Sequence, residues 1–348
     1  MSEAARVQES AIDRKARVAD GLSGFLGAQW GTGVSIEGMV ETSAGARRGN
    51  VLFDAVRDDD GSRLPLCVTY LPTLNIELMK ISDEAALILL AEEGGVPVPH
   101  VHFASEDPSW VGGPFFISDR VQGETVPRRV LRQVAADGTG HQIVESLGRA
   151  FAALHQIPAS KAPESLGRPS GETPSEMALA RLAEQLDNLL QPSPVFNLGL
   201  RWLVRNPPAP PRRLSIVHGD VRNGNIIVDH GGLAAVLDWE VAKIGDPMED
   251  LAWPCLRCWR FGEDRREVGG FGAREGLIRG YSEGGGHFDA HSFHWWKVLG
   301  TMRWGLGLAG QARGHLDGTF SNIVMAASGR RVAEQEYDLL CLLRPRGH

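Results

Sequence analysis

The chain has 348 residues, which at about 150 residues per domain predicts two domains or lobes with enough buried surface to fold without disulfide or metal staples. Its 36 Lys and Arg against 43 Asp and Glu give a net charge of −7, so electrostatics offer no reason to expect nucleic acid or an anionic membrane as a partner. Four cysteines are too few for a secreted disulfide framework, and the first twenty residues lack the apolar core of a signal peptide. The longest apolar stretch, Ala85–Ala91, is far shorter than the roughly 18 residues of a membrane span. A cytoplasmic protein is expected.

In chain order, residues 4–28 read as a polar helix. Val34–Thr42, Asn50–Arg57 and Leu64–Leu71 are rich in β-branched and apolar residues and read as strands, with a hairpin tip at residues 58–62 where Asp60-Gly61 accepts positive φ. A helix follows from Ser82 or Asp83, capped by Ser82 and stopped at Gly94 or Gly95. Val101–Ala104 and Phe115–Arg120 read as two more strands. Strands around one helix predict a compact α+β lobe. After Gly123 the pattern turns helical: Ile143, Leu147, Phe151 and Leu154 recur on one helix face. Ser175–Leu190 reads as a helix between proline-rich loops at 158–174 and 206–211. Three short strands, Ser215–His218, Ile226–Asp229 and Ala234–Leu237, surround a polar loop, and helices with Trp-rich faces follow from Asp246.

The chemistry concentrates between Val217 and Ala252. Asp220 leaves a strand into a loop, Asn225 opens the next strand five residues later, and Asp238 ends the one after that. A tight pair with its turn at Asp229–Gly232 brings Asp238 back beside Asn225. An amide carbonyl and a carboxylate facing each other suit Mg²⁺, which takes one or two protein ligands and fills its shell with water and phosphate oxygens. Asp220 is then left to accept a proton. A catalytic-loop Asp, an Asn five residues on and a later metal-binding Asp form the kinase arrangement for phosphoryl transfer.

His218-Gly219-Asp220, Asn225, Asp238-Trp239-Glu240, Gly245-Asp246-Pro247 and Asp250-Leu251 closely resemble the signature of the aminoglycoside phosphotransferase family, part of the protein-kinase-like superfamily. Weaker collinear likeness lies at Glu84 with its apolar helix, Gly95-Val96-Pro97-Val98-Pro99, Pro114–Ile117 with Val121-Gln122-Gly123, and Phe151–His155. Within the family, Val236–Ala252 and Gly95–Val101 most resemble the branch related to the kinase-like portion of certain acyl-CoA dehydrogenases. The resemblance implies an α+β, two-lobed kinase-like fold: a small nucleotide-covering β-sheet lobe over residues 1–120 and a larger, mostly helical lobe over 121–348. It implies ATP (or GTP) and Mg²⁺, with Asp220 as general base, Asn225 and Asp238 on the metal, Asp119 and Val121 among the nucleotide-binding residues, and a hydroxyl-bearing small molecule as acceptor, either aminoglycoside-like or hydroxyacyl-type. Asp246 and Asp250 are expected to be structural, Asp246 by bonding the catalytic loop or capping its helix, and His218 to be an internal hydrogen-bonding group. Trp253, Arg257, Trp295 and Arg303 are expected to shape the acceptor pocket.

One departure stands out. Kinase-like folds carry a phosphate-gripping Lys on the third strand, paired with a Glu on the next helix. Here Thr69 or Tyr70 occupies that place although Glu84 is present, and Lys80 belongs to the helix entrance. Arg47 and Arg48, in the turn Gly45–Gly49, are the candidates to supply the missing cation. Without a replacement the chain reads as a pseudokinase-like module that binds nucleotide without transfer. Cys255 and Cys258, four residues end to end on one helical face, read as core; a zinc site with His287, His291 and His294 is the minor alternative. Gly31-Thr32-Gly33 does not open a helix after a strand, which excludes a dinucleotide fingerprint.

Overall fold

A computed structural model describes residues 11–42, 48–72, 77–189, 191–319 and 323–344. The chain divides into two units, the first comprising the chain through Glu92 together with Val98–Val121, the second Glu93–Pro97 and everything from Gln122 onward.

The first unit is built on a five-stranded antiparallel sheet in the order β1-β2-β3-β5-β4. Its elements are α1 (Ala11–Trp30), β1 (Val34–Glu41), β2 (Gly49–Arg57), β3 (Arg63–Tyr70), α2 (Ile81–Glu93), β4 (Val101–Ser105) and β5 (Phe115–Asp119). Alternate residues of β2 (Val51, Phe53, Ala55) and β3 (Leu66, Val68, Tyr70) are buried, the period-two pattern of a sheet with one face in a core. That core is closed by Val18, Leu22, Phe25 and Leu26 of α1, with the Phe25 ring 4.9 Å from Phe115 and 5.6 Å from Trp110 in edge-on geometry. The strands match the sequence reading to within a residue or two. The predicted helix at 4–28 is found at Ala11–Trp30, residues 4–10 lying outside the described set. Ser82 is not the cap of α2: the helix begins at Ile81, and the Ser82 N–H donates to the Glu106 carboxylate at 2.8 Å. Gly95, at φ 87°, supplies the left-handed stop.

The second unit contains α3 (Pro127–Asp137), α4 (Gly140–Gln156), α5 (Pro174–Asp187), α6 (Pro194–Arg205), strands β6 (Ser215–Val217), β7 (Ile226–Asp229), β8 (Gly232–Val236) and β9 (Lys243–Gly245), then α7 (Pro247–Ala252), α8 (Arg274–Glu283), α9 (Ala290–Leu316), α10 (Ile323–Ser328) and α11 (Val332–Leu343). β7 and β8 form one antiparallel hairpin and β6 and β9 another pair. Two elements escaped the sequence reading. Helix α6 begins behind a Ser193 cap, whose hydroxyl accepts from the Phe196 N–H at 3.0 Å, with Pro194 at its first position. Strand β9 is three residues long, too short to show a period.

Ile143, Leu147, Phe151 and Leu154 of α4 are all buried. The opposite approach, to α8, depends on glycines: a Cβ on Gly148 would overlap the Leu277 carbonyl, and one on Gly280 the Glu145 carbonyl. Helix backbones therefore touch where a side chain would hold them apart, and α4 delivers His155 to the loop described below. Gly280→Ala is expected to lower the unfolding free energy by about 1–3 kcal/mol through overpacking. Gly310→Ala, in α9 with nothing within 4 Å of the added carbon, is expected to raise it by about 0.5–1 kcal/mol. Urea unfolding of both variants checks the pair.

Candidate active site

The loop after β6 is held from below by one carboxylate. Asp250, fully buried on α7, accepts the His218 backbone N–H at 2.8 Å through Oδ2 and the Gly219 N–H at 2.7 Å through Oδ1. His155 Nε2 lies 3.1 Å from Asp250 Oδ2, and its Nδ1 lies 3.0 Å from the Tyr281 hydroxyl. Burial alone would raise the Asp250 carboxyl, but these bonds bring it below its ordinary value. Gly219 sits at φ 82°, the left-handed geometry that glycine adopts without strain. The loop anchor is thus Asp250. Asp246 takes the other role foreseen for it and caps α7, accepting from the Met248 N–H (2.9 Å), the Ser292 hydroxyl (2.9 Å) and the Trp296 indole (2.8 Å).

His218 is fully buried and burial pushes its pKa down. Its Nε2 faces the Leu237 carbonyl at 3.1 Å while Nδ1 accepts the Asp220 N–H at 3.2 Å, which assigns the neutral ring with its proton on Nε2. The Trp239 ring packs 4.5 Å from it, and the Trp239 indole bonds the Val236 carbonyl at 3.3 Å. The ends of β6 and β8 are locked together by this pair.

On that base, the three carboxylate and amide groups converge. Leu237 N–H bonds the Asn225 carbonyl at 2.9 Å, extending the β7–β8 register by one step. Asn225 Nδ2 donates to Asp220 Oδ2 at 2.8 Å and to the Asp220 carbonyl at 3.0 Å, and lies 3.4 Å from Asp238 Oδ2. Asp238 stands at φ 68°, a left-handed conformation that Asp tolerates better than most residues and that clusters at functional sites. Both amide hydrogens of Asn225 are directed at carboxylate and carbonyl oxygens, which fixes the amide plane and leaves its own oxygen for a cation. Among the described residues no three His, Cys, Asp or Glu side chains cluster as a metal site. One amide oxygen and one carboxylate make a two-ligand oxygen set, which fits Mg²⁺ and not a zinc cage.

Asp220 itself is gripped at both oxygens. Oδ1 accepts the Trp253 indole N–H at 2.7 Å and lies 3.4 Å from Arg222 Nε. Burial pushes the Asp220 carboxyl up, with Arg222 opposing. The Arg222 guanidinium stacks 4.7 Å over Trp259. Arg303 of α9 stacks 4.1 Å over Trp253, donates to the Gly219 carbonyl at 3.0 Å and pairs at 2.6 Å with Glu249, which Lys243 also bonds at 2.7 Å. Trp253 and Arg303, expected as pocket walls, therefore support Asp220 and its loop. Arg222, Lys243 and Glu249 were not singled out from sequence; the one available signal was Arg222's place two residues after Asp220.

The other expected pocket residues separate. Trp295 is a core residue, 1% exposed, with its indole on the Leu203 carbonyl at 3.1 Å, and it lines neither of the two cavities described below. Arg257 pairs with Asp264 (2.7 Å) and Asp338 (2.9 Å) on the wall of a cavity of about 780 Å³, beside Pro127, Cys258 and Phe261. Trp253, Cys258 and Trp259 pack in one cluster, so the apolar wall of this cavity continues to the residue that holds Asp220. Cys255 and Cys258 are buried, burial pushing the Cys255 thiol up to about 12 and Cys258 up likewise; they act as core.

In the first unit, Thr69 takes the strand position where a Lys was sought, and its hydroxyl bonds Asn50 Oδ1 across the β2–β3 pair at 2.7 Å. Arg48, just before β2, forms an ion pair with Glu84 of α2, the two side chains 8% and 1% exposed. Arg47 lies outside the described residues. Asp119 is exposed at the end of β5, where its carboxylate meets His102 Nε2 at 2.7 Å, and Val121 is half-buried.

Comparison with known proteins places this architecture. The phosphotransferase enzyme family, APH, matches residues 46–287. Acyl-CoA dehydrogenase family member 10 of Mus musculus is 27% identical over 187 residues, covering 51% of this chain and 16% of that protein. Acyl-CoA dehydrogenase family member 11 of Gallus gallus is 29% identical over 166 residues, covering 46% and 20%. The chain thus matches about a fifth or less of these relatives' length. A putative aminoglycoside phosphotransferase from Ralstonia eutropha superposes with a TM-score of 0.68 at 20% identity, covering 92% of this chain and 97% of that one. A thermostable mutant of aminoglycoside phosphotransferase APH(4)-Ia, in ternary complex with ADP and hygromycin B, gives 0.61 at 15% identity, covering 94% and 100%. The fold is that of kinase-like phosphotransferases, α+β, with an antiparallel five-stranded sheet and a helical lobe. The chain belongs to the APH phosphotransferase family.

Two stability outcomes follow from the buried charges. Arg48→Met leaves Glu84 in the core without this cation and is expected to lower the unfolding free energy by about 3–5 kcal/mol. Asp250, with its folded pKa depressed, contributes stability that is complete above the unfolded carboxylate value of about 4 and is lost as pH falls through the lower folded value. Asp250→Asn is therefore expected to be less stable at neutral pH and to show a shallower loss below about pH 4, both read from urea unfolding between about pH 2.5 and 7.

Proposed function

We propose that the chain transfers the γ-phosphoryl group of ATP or GTP to a hydroxyl of a small molecule, with Asp220 as general base and Asn225 and Asp238 as the protein ligands of Mg²⁺. The observation that carries this reading is the bonded triplet of those three side chains on one anchored loop and one hairpin. Family membership supports it. So do the nucleotides named with two structural relatives, ADP in the complex above and GDP in aminoglycoside 2'-phosphotransferase-IIIa.

Each oxygen of Asp220 already accepts one hydrogen bond and retains a second lone pair for an acceptor hydroxyl. Trp253 and Asn225 orient the carboxylate, and its raised pKa makes it a stronger proton acceptor than a solvated carboxylate. Asn225 and Asp238 would hold Mg²⁺, which when bound would supply charge neutralisation for the phosphate oxygens. Arg48 of the first unit, held by Glu84, is the cation we assign to phosphate binding; without it the pseudokinase-like alternative would be favoured. The cavity beyond Trp259, at about 780 Å³, has the volume of a small-molecule site, and we assign it to the acceptor's body. The acceptor is an alcohol of the aminoglycoside-like or hydroxyacyl type.

The test is ADP or GDP formation with Mg²⁺-nucleotide and a panel of hydroxylated amines and hydroxylated acyl compounds. Asp220→Ala is expected to lower kcat by about 10²–10⁴-fold on whichever compound is turned over. Equal turnover by wild type and Asp220→Ala contradicts the assignment of the base. Stabilisation by Mg²⁺-nucleotide without transfer to any compound supports the pseudokinase-like alternative.

A further inference from the structure

We infer that a second cavity of the helical unit, about 480 Å³ in volume and bounded by the starts of α8 and α9 and the end of α11, binds a phosphorylated organic anion. None of Asp220, Asn225 or Asp238 lines it, and the inference does not depend on the phosphotransfer reading.

Charge sets this cavity apart. In a chain whose net charge is −7, this wall carries Arg260, Arg265, Arg274, Lys297 and Arg344 against only Asp264 and Glu267. Asp264 is taken by Arg257, at 2.7 Å. Glu267 is shared: Lys297, with a side chain 10% exposed, pairs with it, and Arg274 lies 3.8 Å away. Arg260 spends its terminal nitrogens on neutral carbonyls, those of Asp264 (2.9 Å) and Cys255 (3.1 Å), and its Nε is buried without a hydrogen-bond partner among the described residues. Arg265 and Arg344 are exposed and form no ion pair among the described residues. Cations converging on a concave wall repel one another and focus a positive potential, and guanidinium groups match phosphate oxygens in pairs.

Part of the lining is apolar. Phe288 and Phe293 pack with ring centroids 5.3 Å apart, and the Arg274 guanidinium sits 5.6 Å from the Phe293 ring. A bare phosphate would leave this surface unused. An anion with a ring or chain behind its phosphate meets both the cations and the phenyl rings, and the volume lies within the range of small-ligand pockets.

Calorimetric titration of the full chain, free of divalent cations and at fixed ionic strength, with inorganic phosphate and with phenyl phosphate decides the matter. Phenyl phosphate is expected to bind several-fold more tightly than inorganic phosphate. The double variant Arg265→Ser/Arg344→Ser, which changes only exposed side chains, is expected to weaken both by about tenfold. Phe288→Ala is expected to abolish only the advantage of the phenyl group. No saturable binding at millimolar concentration, or unchanged affinity in the double variant, overturns the site. Equal affinity for the two probes overturns the organic half of the inference and makes free phosphate the ligand. Phosphotransfer by the double variant on the compound panel reports separately on the catalytic reading, so failure of one is distinguishable from failure of the other.

Discussion

Two backbone N–H groups pointing at one buried carboxylate set the geometry of everything around Asp220. Asp250 receives His218 and Gly219, and because it is fully buried and also bonded by His155, it cannot move without leaving several polar groups unsatisfied in the core. The loop that follows has its direction fixed by this contact. Gly219, free to adopt positive φ, turns the chain upward, and its carbonyl is caught by Arg303. Asp220 leaves the turn already aimed at Trp253 and Asn225. The Asp220, Asn225 and Asp238 group is thus supported by a second set of residues from three helices: His155 of α4, Asp250 of α7 and Arg303 of α9. The close α4–α8 contact, permitted by Gly148 and Gly280, belongs to the same support, because it positions both His155 and Tyr281.

Much of this was legible in the sequence, and the reasons differ by element. The sheet of the first unit announces itself by alternation and turn chemistry, both local signals. The convergence of Asn225 and Asp238 followed from arithmetic: a short turn at Asp229–Gly232 fixes the hairpin register, and register fixes which residues meet at its open end. The roles of Trp253 and Arg303 were not legible, since a tryptophan and an arginine fifty residues apart give no sign that one stacks on the other. Trp295 misled for the converse reason, because a Trp-rich helix face looks the same whether it lines a pocket or a core. The Asp246 and Asp250 assignments divide similarly: Pro247 marks Asp246 as a helix cap, while nothing short of the tertiary structure shows that Asp250 faces the loop backbone.

The Arg48–Glu84 ion pair answers a requirement of burial. Glu84 is buried and requires a positive partner. Thr69 on β3 cannot supply one, and its hydroxyl is instead used across the sheet on Asn50. Gly49 pairs with Tyr70 in the antiparallel register, so the residue before it, Arg48, comes level with the end of β3 and reaches the same carboxylate. Arg48, just before β2, thus supplies Glu84 with a cation where the third strand carries Thr69.

In the proposed reaction Asn225 and Asp238 hold the divalent ion while Asp220 stays off it, free to take a proton. A crystal structure of the chain with Mg²⁺ and a non-hydrolysable ATP analogue tests this most directly. The expected result is metal bonded to the Asn225 amide oxygen and an Asp238 carboxylate oxygen, with Asp220 still bonded by Trp253 and facing an open position. Metal bound directly by Asp220, or bound without either Asn225 or Asp238, would contradict it.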